Sequence, residues 1–247
     1  MISPSRQDPD ATAERGRLFL IPSPLGDNDP AEVIPAPVLE RLQTIHVYVV
    51  EEVRTVRRYL SRAGLKGRID TLEFHTLNEH TTPQEVESYL SLFDGGTDVG
   101  LISEAGLPAV ADPGAQLVAL CHRHGIEVVP FVGPSSLMLA LMASGLNGQR
   151  FAFQGYLPAK PEERRSAIRD LEKRSAAQHE TELCIETPYR NDSLLQDLLA
   201  GLRETTRLTL AADITLPTAW IRTKTVRQWK ADKPVIGKRP CVFLILA

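Results

Sequence analysis

Five short apolar runs, near residues 18, 47, 71, 100 and 128, alternate with helical patterns in the first half of a 247-residue chain. Short connections join them. That alternation leaves few topologies open, because parallel strands need a crossover to return to the same end of a sheet, and a helix supplies it. Residues 45–50, IHVYVV, form a nearly unbroken apolar run, as expected of a strand covered on both faces. The pattern predicts a doubly wound parallel sheet.

Such a sheet binds ligands beyond the carboxyl ends of its strands. Residues 17–21 (RLFLI) run into PSPLGDNDP, residues 22–30, where three prolines and Gly26 predict a shaped loop. A helix is expected over 37–43. The strand at 45–50 ends in Glu51 and Glu52, and a helix over 53–63 closes at Gly64. On it Arg54, Arg58 and Arg62 share one face, with Arg57 at its border. The acids suit either chemistry or the positive end of a helix. A strand over 69–74 is followed by His75, Asn78 and Glu79, then by a helix over 82–93 with Pro83 at its first position.

The fourth run, residues 98–103, empties into GLPAVADPG before a helix over 115–124. Ala105 and Gly106 leave backbone bare for a ligand, and Pro108 and Pro113 stiffen the loop. A glycine-containing loop is by itself a weak signal, equally compatible with an ordinary connection. After a strand over 127–131, Gly133-Pro134-Ser135-Ser136 opens an apolar helix ending at Gly145. Its free N–H groups and hydroxyls suit a carboxylate; routine capping explains them too.

Beyond this point the order changes. A strand running into a loop over 151–160, strands over 182–186, 207–212, 219–224 and 241–246, and helices over 161–178 and 192–203 predict an α+β domain with a mixed sheet. The expected division is a polar disordered tail over 1–16, an α/β domain over 17–132 and an α+β domain over 133–247. Cys121, Cys184 and Cys241 are odd in number and far apart, which argues against disulfides and zinc and for a reducing cytoplasm. No apolar run is long enough to span a bilayer. The net charge is −3, yet residues 54–68 carry six Lys/Arg and no acid, and 222–239 carry seven against Asp232 alone. These segments suit phosphates or simple solvation. P-loop, dinucleotide, zincin and serine-hydrolase motifs are missing.

Seven motifs in order, IPSPLGD, EEVRTVRRYL, FHTLNEH, SEAGLPAVADPG, VGPSS, GYLPAK and ETPYR, resemble those of the tetrapyrrole methylase superfamily, the class III S-adenosylmethionine-dependent methyltransferases. The likeness runs from about residue 17 to 203. It is strongest to the branch that methylates a ribose 2′-hydroxyl in small-subunit ribosomal RNA. Glu104 stands where that branch has Asp, Leu107 where it has Thr and Val132 where it has Pro. The downstream Glu-x-Thr-Lys segment is replaced by ADITLPTAW.

The resemblance implies a two-domain tetrapyrrole-methylase-like fold with the ligand cleft between the domains, S-adenosylmethionine as cofactor, and a homodimer; the missing metal-binding motifs predict no metal. It carries the cofactor role to Pro24, Ser103, Glu104, Ala105, Gly106 and Ala109, and to Ser135, Ser136, Ile185, Glu186, Ala211 and Ala212. Candidates for taking the hydroxyl proton are Glu51, Glu52, His75 and Glu79. Arg54 and Arg57 would position phosphates. The implied partner is ribosomal RNA or the small ribosomal subunit. Two alternatives remain: methylation of a tetrapyrrole or other small molecule, and a binding protein that has lost catalysis.

Overall fold

The computed structural model describes residues 14–247. Of the expected tail, residues 1–13 lie outside the described residues. Glu14 and Gly16 are already tied to the body: the Gly96 N–H donates to Glu14 O at 2.7 Å, and the Gly16 N–H to Phe93 O at 2.9 Å. The chain divides into two compact units. One holds the residues up to Pro24 and Asp29–Pro134; the other holds Leu25–Asn28 and Ser135–Ala247. Among the described residues no helix is long and apolar enough to cross a membrane.

The first unit has strands β1 (Leu18–Ile21), β2 (Val47–Val50), β3 (Glu73–Thr76), β4 (Val99–Ile102) and β5 (Val128–Pro130). Its helices are α1 (Pro30–Val33), α2 (Ala36–Leu42), α3 (Val53–Leu60), α4 (Pro83–Ser88) and α5 (Ala115–Arg123). The sheet order is β3-β2-β4-β1-β5, and each pairing is parallel. Alternate residues of each strand serve opposite faces. Phe19, Ile21, Tyr48, Val50 and Ile102 pack with Leu42 of α2 and with Val56, Tyr59 and Leu60 of α3. Leu18, Val47, Val49, Val99 and Leu101 pack with Val86 of α4 and with Leu117, Leu120 and Cys121 of α5. The sheet is therefore doubly wound, as the strand–helix alternation predicts.

Two local expectations need correction. The third strand begins at Glu73, because Ile69–Thr71 form a 3-10 turn that delivers Ile69 and Leu72 to the core. His75 consequently sits inside an edge strand rather than in the loop after it. The helix expected over 82–93 is α-helical only to Ser88; 3-10 turns follow to Gly96, broken at Asp94 and at Gly95, whose φ is +65°.

The second unit has helix α6 (Ser136–Ser144), β6 (Phe151–Tyr156), α7 (Pro161–Gln178), β7 (Thr181–Ile185), α8 (Asn191–Gly201), β8 (Arg207–Ala212), β9 (Trp220–Thr225), α9 (Val226–Asp232) and β10 (Cys241–Leu246). The sheet order is β6-β7-β10-β8-β9; β6 and β7 run parallel and the other neighbours antiparallel. This is the mixed sheet of the expected α+β arrangement. Its apolar core places Ile168 of α7, Leu194 and Leu198 of α8, and Trp229 of α9 on one face. Leu137, Ala140 and Leu141 of α6 cover the other. Helix α9 was not expected, although Thr225 and Gln228 form a capping box at its start that is legible as Thr-x-x-Gln.

Gly100 shows how tightly the first sheet is fitted. It lies between Phe19 and Tyr48 in register. A Cβ there would come within 2.6 Å of Ile21 Cδ1 and 2.9 Å of Tyr48 Cδ1. Gly100→Ala is expected to destabilise the fold by about 1–3 kcal/mol, the usual range for overpacking. Gly67→Ala, with nothing within 4 Å, should change it by less than about 0.5 kcal/mol. Urea unfolding of both variants checks the contrast.

Candidate functional site

The chain leaves β1 and β4 in opposite directions. From β1 it crosses over β4 to reach β2, through α2 on one face. From β4 it crosses over β1 to reach β5, through α5 on the other. In an open parallel sheet such a pair of strands marks the switch point, and ligands sit at its carboxyl end. Here the two departing loops are stitched together. The Ser23 N–H donates to Gly106 O at 2.9 Å, the Gly106 N–H donates back to Ser23 O at 3.1 Å, and Ser23 Oγ donates to Ser103 O at 3.0 Å. Tyr59 Oη donates to Pro22 O at 3.0 Å. The loop after β5 also packs here, since a Cβ on Gly133 would lie 2.2 Å from Pro22 Cβ.

The β4 loop is folded through unusual backbone. Gly106 has φ +80° and Gly114 φ +137°, and the left-handed region is also held by Ala109 (φ +64°) and Ala111 (φ +66°). Two alanines there cost roughly 1–3 kcal/mol each, a strain concentrated at functional sites. Ser103 is 1% exposed, and among the described residues its Oγ makes no hydrogen bond of ordinary geometry, with the Asp112 carboxyl beside it. A buried hydroxyl so weakly bonded keeps capacity for a ligand or water. Ser103 and Gly106 are buried, while Glu104 and Ala105 are exposed.

Carboxylates gather at the same end of the sheet. Glu51 follows β2 and accepts the Glu104 N–H at 3.2 Å, and Thr55 Oγ1 donates to Glu104 Oε1 at 3.3 Å. Partial burial pushes the Glu51 carboxyl above its ordinary range, with the negative charges of Glu104 and Glu79 adding to the rise. Burial, with Glu51 and Glu104 as neighbours, lifts Asp112 to about 6 against the opposing pull of the Ser103 hydroxyl. Sequence reasoning missed Asp112 as a titrating group; the Asp-Pro-Gly turn that holds it was the available signal.

The remaining sequence candidates separate. Glu52 is the N-cap of α3 and accepts the N–H groups of Arg54 at 3.0 Å and Thr55 at 2.7 Å. Those bonds hold its carboxyl below the ordinary range. His75 Nε2 is 2.7 Å from Glu73 Oε1, and its ring lies 5.8 Å from that of Tyr89, on the α4 face. Glu79 pairs with His80 at 3.5 Å. Arg57 is engaged with Asp70 at 2.5 Å and lies over the Phe74 ring, while Arg54 and Arg58 are exposed. Pro24 is the last residue of the β1 loop counted with this unit.

In the second unit, Ile185, Val242 and Ala211 stand side by side across β7, β10 and β8, facing α6. Ala212 turns to the opposite face, so only its backbone can serve that row. Ser135 caps α6, its Oγ accepting the Met138 N–H at 3.4 Å, and Ser136 is the first helical residue. The expected hydroxyl of Ser135 is thus already used by the helix. Glu186 has a side chain without exposure. Its Oε1 accepts from Arg190 Nε at 3.0 Å, Arg190 NH2 at 2.6 Å and the Thr187 N–H at 2.7 Å, whereas Oε2 is buried without a partner. Glu186 Oε2 is thus a buried polar atom without a partner among the described residues, while Ser103 Oγ has the Asp112 carboxyl beside it.

Comparison with known proteins adds three findings. The family model of tetrapyrrole (corrin/porphyrin) methylases matches residues 18–229. Proteins named ribosomal RNA small subunit methyltransferase I are similar: that of Escherichia coli O157:H7 is 33% identical over 210 residues, covering 85% of this chain and 69% of that protein. That of a Synechocystis strain is 32% identical over 200 residues, covering 81% and 67%. In fold, the chain resembles the methyltransferase CobJ, with TM-score 0.60, 16% identity and 94% of each chain covered. It also resembles uroporphyrin-III C-methyltransferase from Thermus thermophilus complexed with S-adenosylhomocysteine, with TM-score 0.54, 19% identity and 94% and 97% covered.

The carboxylate cluster makes a pH-dependent prediction. Asp112 has a folded value near 6 against an ordinary 3.8, so the folded state binds this proton more tightly than the unfolded chain. The group thus opposes folding above about pH 6, and the penalty fades as pH falls toward 4. Asp112→Asn is expected to raise stability at pH 8 by on the order of 1 kcal/mol, after allowance for solvent screening of a half-exposed group. It should also flatten the stability profile between pH 4 and 6.5, measured by urea unfolding across that range.

Proposed function

Because this chain belongs to the tetrapyrrole (corrin/porphyrin) methylase family, we propose that it is an S-adenosylmethionine-dependent methyltransferase acting on a ribose 2′-hydroxyl of small-subunit ribosomal RNA. The observation that carries the site is the stitched pair of loops at the β1/β4 switch point, with the buried Ser103 hydroxyl beside it. The residues fit the cofactor. Ser103 offers a hydroxyl, Gly106 presents bare backbone, and Glu51, Glu104 and Asp112 set a negative field suited to a sulfonium. Pro24, Ala105 and Ala109 complete the proposed set in this unit. In the second unit we assign cofactor contacts to Ser136, Ile185, Glu186 and Ala211, to the capping residue Ser135, and to the backbone of Ala212. S-adenosylmethionine supplies an electrophilic methyl group on a good leaving group.

What the chain must add is orientation and a place for the hydroxyl proton. Glu51 suits the proton best. It is half-buried, its carboxyl is raised, and it stands at the end of β2 with one oxygen fixed by the Glu104 N–H. Glu52 is a weaker choice because both its oxygens cap α3. His75 already shares Nε2 with Glu73. Arg54 and Arg58, exposed on α3, suit phosphates. A tetrapyrrole or other small acceptor is the second reading, and a binding protein without catalysis the third. We take the protein to be cytoplasmic, in keeping with three buried free thiols, and homodimeric, as the family resemblance implies; sedimentation equilibrium checks the latter.

Two outcomes are expected. Small ribosomal subunits incubated with the protein and methyl-labelled cofactor should gain label that alkaline hydrolysis releases in dinucleotides rather than mononucleotides, because a methylated 2′-oxygen cannot attack its phosphate. Label on added uroporphyrin instead would move the acceptor to the small-molecule reading. Glu51→Gln, which keeps the acceptor for the Glu104 N–H, should lower kcat by about 10²–10⁴-fold. Its S-adenosylhomocysteine affinity, measured calorimetrically, should stay within about twofold if the carboxylate serves mainly the proton.

A further inference from the structure

The ETPYR segment after β7 builds a rigid mount for one exposed aromatic ring. Pro188–Arg190 form a 3-10 turn with Pro188 at its first position. The turn is held by the Arg190 N–H donating to Thr187 O at 2.9 Å and by the Arg190 guanidinium on the buried Glu186 carboxylate. Immediately after it, the start of α8 clasps a second turn. Asp192 Oδ1 accepts the Ile236 N–H at 2.8 Å, Asp192 Oδ2 accepts the Gly237 N–H at 3.1 Å, and Asn191 Nδ2 donates to Arg239 O at 2.7 Å. Asn191 is 0% exposed. The two turns are thus fixed to each other, and each delivers one side chain to the surface. Tyr189 is 81% exposed, and Lys238 Nζ lies 5.0 Å from its ring centroid.

Nothing in the fold needs this ring outside. An exposed tyrosine on a stiff turn has little conformational freedom to lose on binding, and its open face is a stacking surface for which sequence does not matter. The ammonium beside it lies over the ring and, among the described residues, on no carboxylate. Three other cations of the basic 222–239 segment are neutralised: Arg227 pairs with Glu204 at 3.0 Å, Lys224 with Asp232, and Arg239 with Asp213 at 3.7 Å. An aromatic face with an adjoining unneutralised cation is the chemistry that holds an unpaired nucleotide, base on ring and phosphate on lysine.

We propose that Tyr189 and Lys238 form a nucleobase-stacking platform that positions a single-stranded segment of the acceptor RNA. The inference rests on the RNA-methyltransferase reading and deepens it. Tyr189 and Lys238 are positioning residues; neither touches reacting atoms.

The test is fluorescence anisotropy with a labelled single-stranded oligoribonucleotide of mixed sequence, and methyl transfer to small ribosomal subunits. Tyr189→Ala should weaken oligonucleotide binding about tenfold or more and raise KM for subunits more than it lowers kcat. Tyr189→Phe and Tyr189→Trp should bind within about twofold of the parent, since each keeps a stacking face. Lys238→Ala should reduce the slope of log affinity against log salt by about one. S-adenosylhomocysteine affinity and Tm should not move in any variant. If the parent binds RNA and Tyr189→Ala binds it equally well, the platform is refuted and the RNA reading survives. If the parent binds S-adenosylhomocysteine and a porphyrin but no RNA at any salt, the RNA reading fails and the platform with it.

Discussion

The reciprocal pair of hydrogen bonds between Ser23 and Gly106 is the interaction on which the first unit's proposed chemistry depends. Each strand of a parallel sheet ends in carbonyl and amide groups that its own ladder no longer pairs. At the switch point two such ends diverge, and water would otherwise fill the gap. Joining the loops as a short antiparallel bridge satisfies four backbone groups with two bonds. It also forces the chain after β4 to turn at once, which Gly106 permits at φ +80°. Ala109 and Ala111 then accept the left-handed region although they carry a Cβ. Strain of that kind persists only where neighbours over-determine it. Gly114 packs directly on Ala109, where a Cβ would lie 3.4 Å from the Ala109 Cβ, while Tyr59 and Gly133 hold Pro22 of the facing loop.

Much of this was legible without coordinates because it rests on short-range chemistry. The unbroken apolar character of the run ending at Val50 follows from burial on both faces, and the helix-between-strands rhythm follows from parallel pairing. The loops at 22–24 and 103–114 are readable because proline and glycine punctuate backbone whatever the tertiary setting. The mixed second sheet was readable for the opposite reason: strands β8 and β9 follow each other with no helix between them. The resemblance of seven ordered motifs supplied the family, and no single residue pattern could have done so.

What was not legible depends on packing and partners. The 3-10 turn at Ile69–Thr71 moves His75 into a strand because the core takes Ile69 and Leu72 at a spacing that an extended chain would not provide. The opposite facing of Ala211 and Ala212 follows from pleat, but which face matters is known only once α6 is in place. The three acids that follow β2 and β3 look equivalent in sequence. In the fold Glu52 is used up as a helix cap and Glu79 pairs with His80, while Glu51 and Asp112 share a partly buried field. A carboxylate's role is thus set by whether its oxygens are already bonded, which no linear pattern records.

The most direct test is a crystal structure of the protein with S-adenosylhomocysteine bound. The ligand is predicted to lie against the carboxyl ends of β1 and β4, with one of its polar atoms within hydrogen-bond distance of Ser103 Oγ and part of it against the Gly106 backbone. A ligand bound elsewhere, with Ser103 Oγ met only by water, would contradict the assignment of the cofactor to the stitched loops.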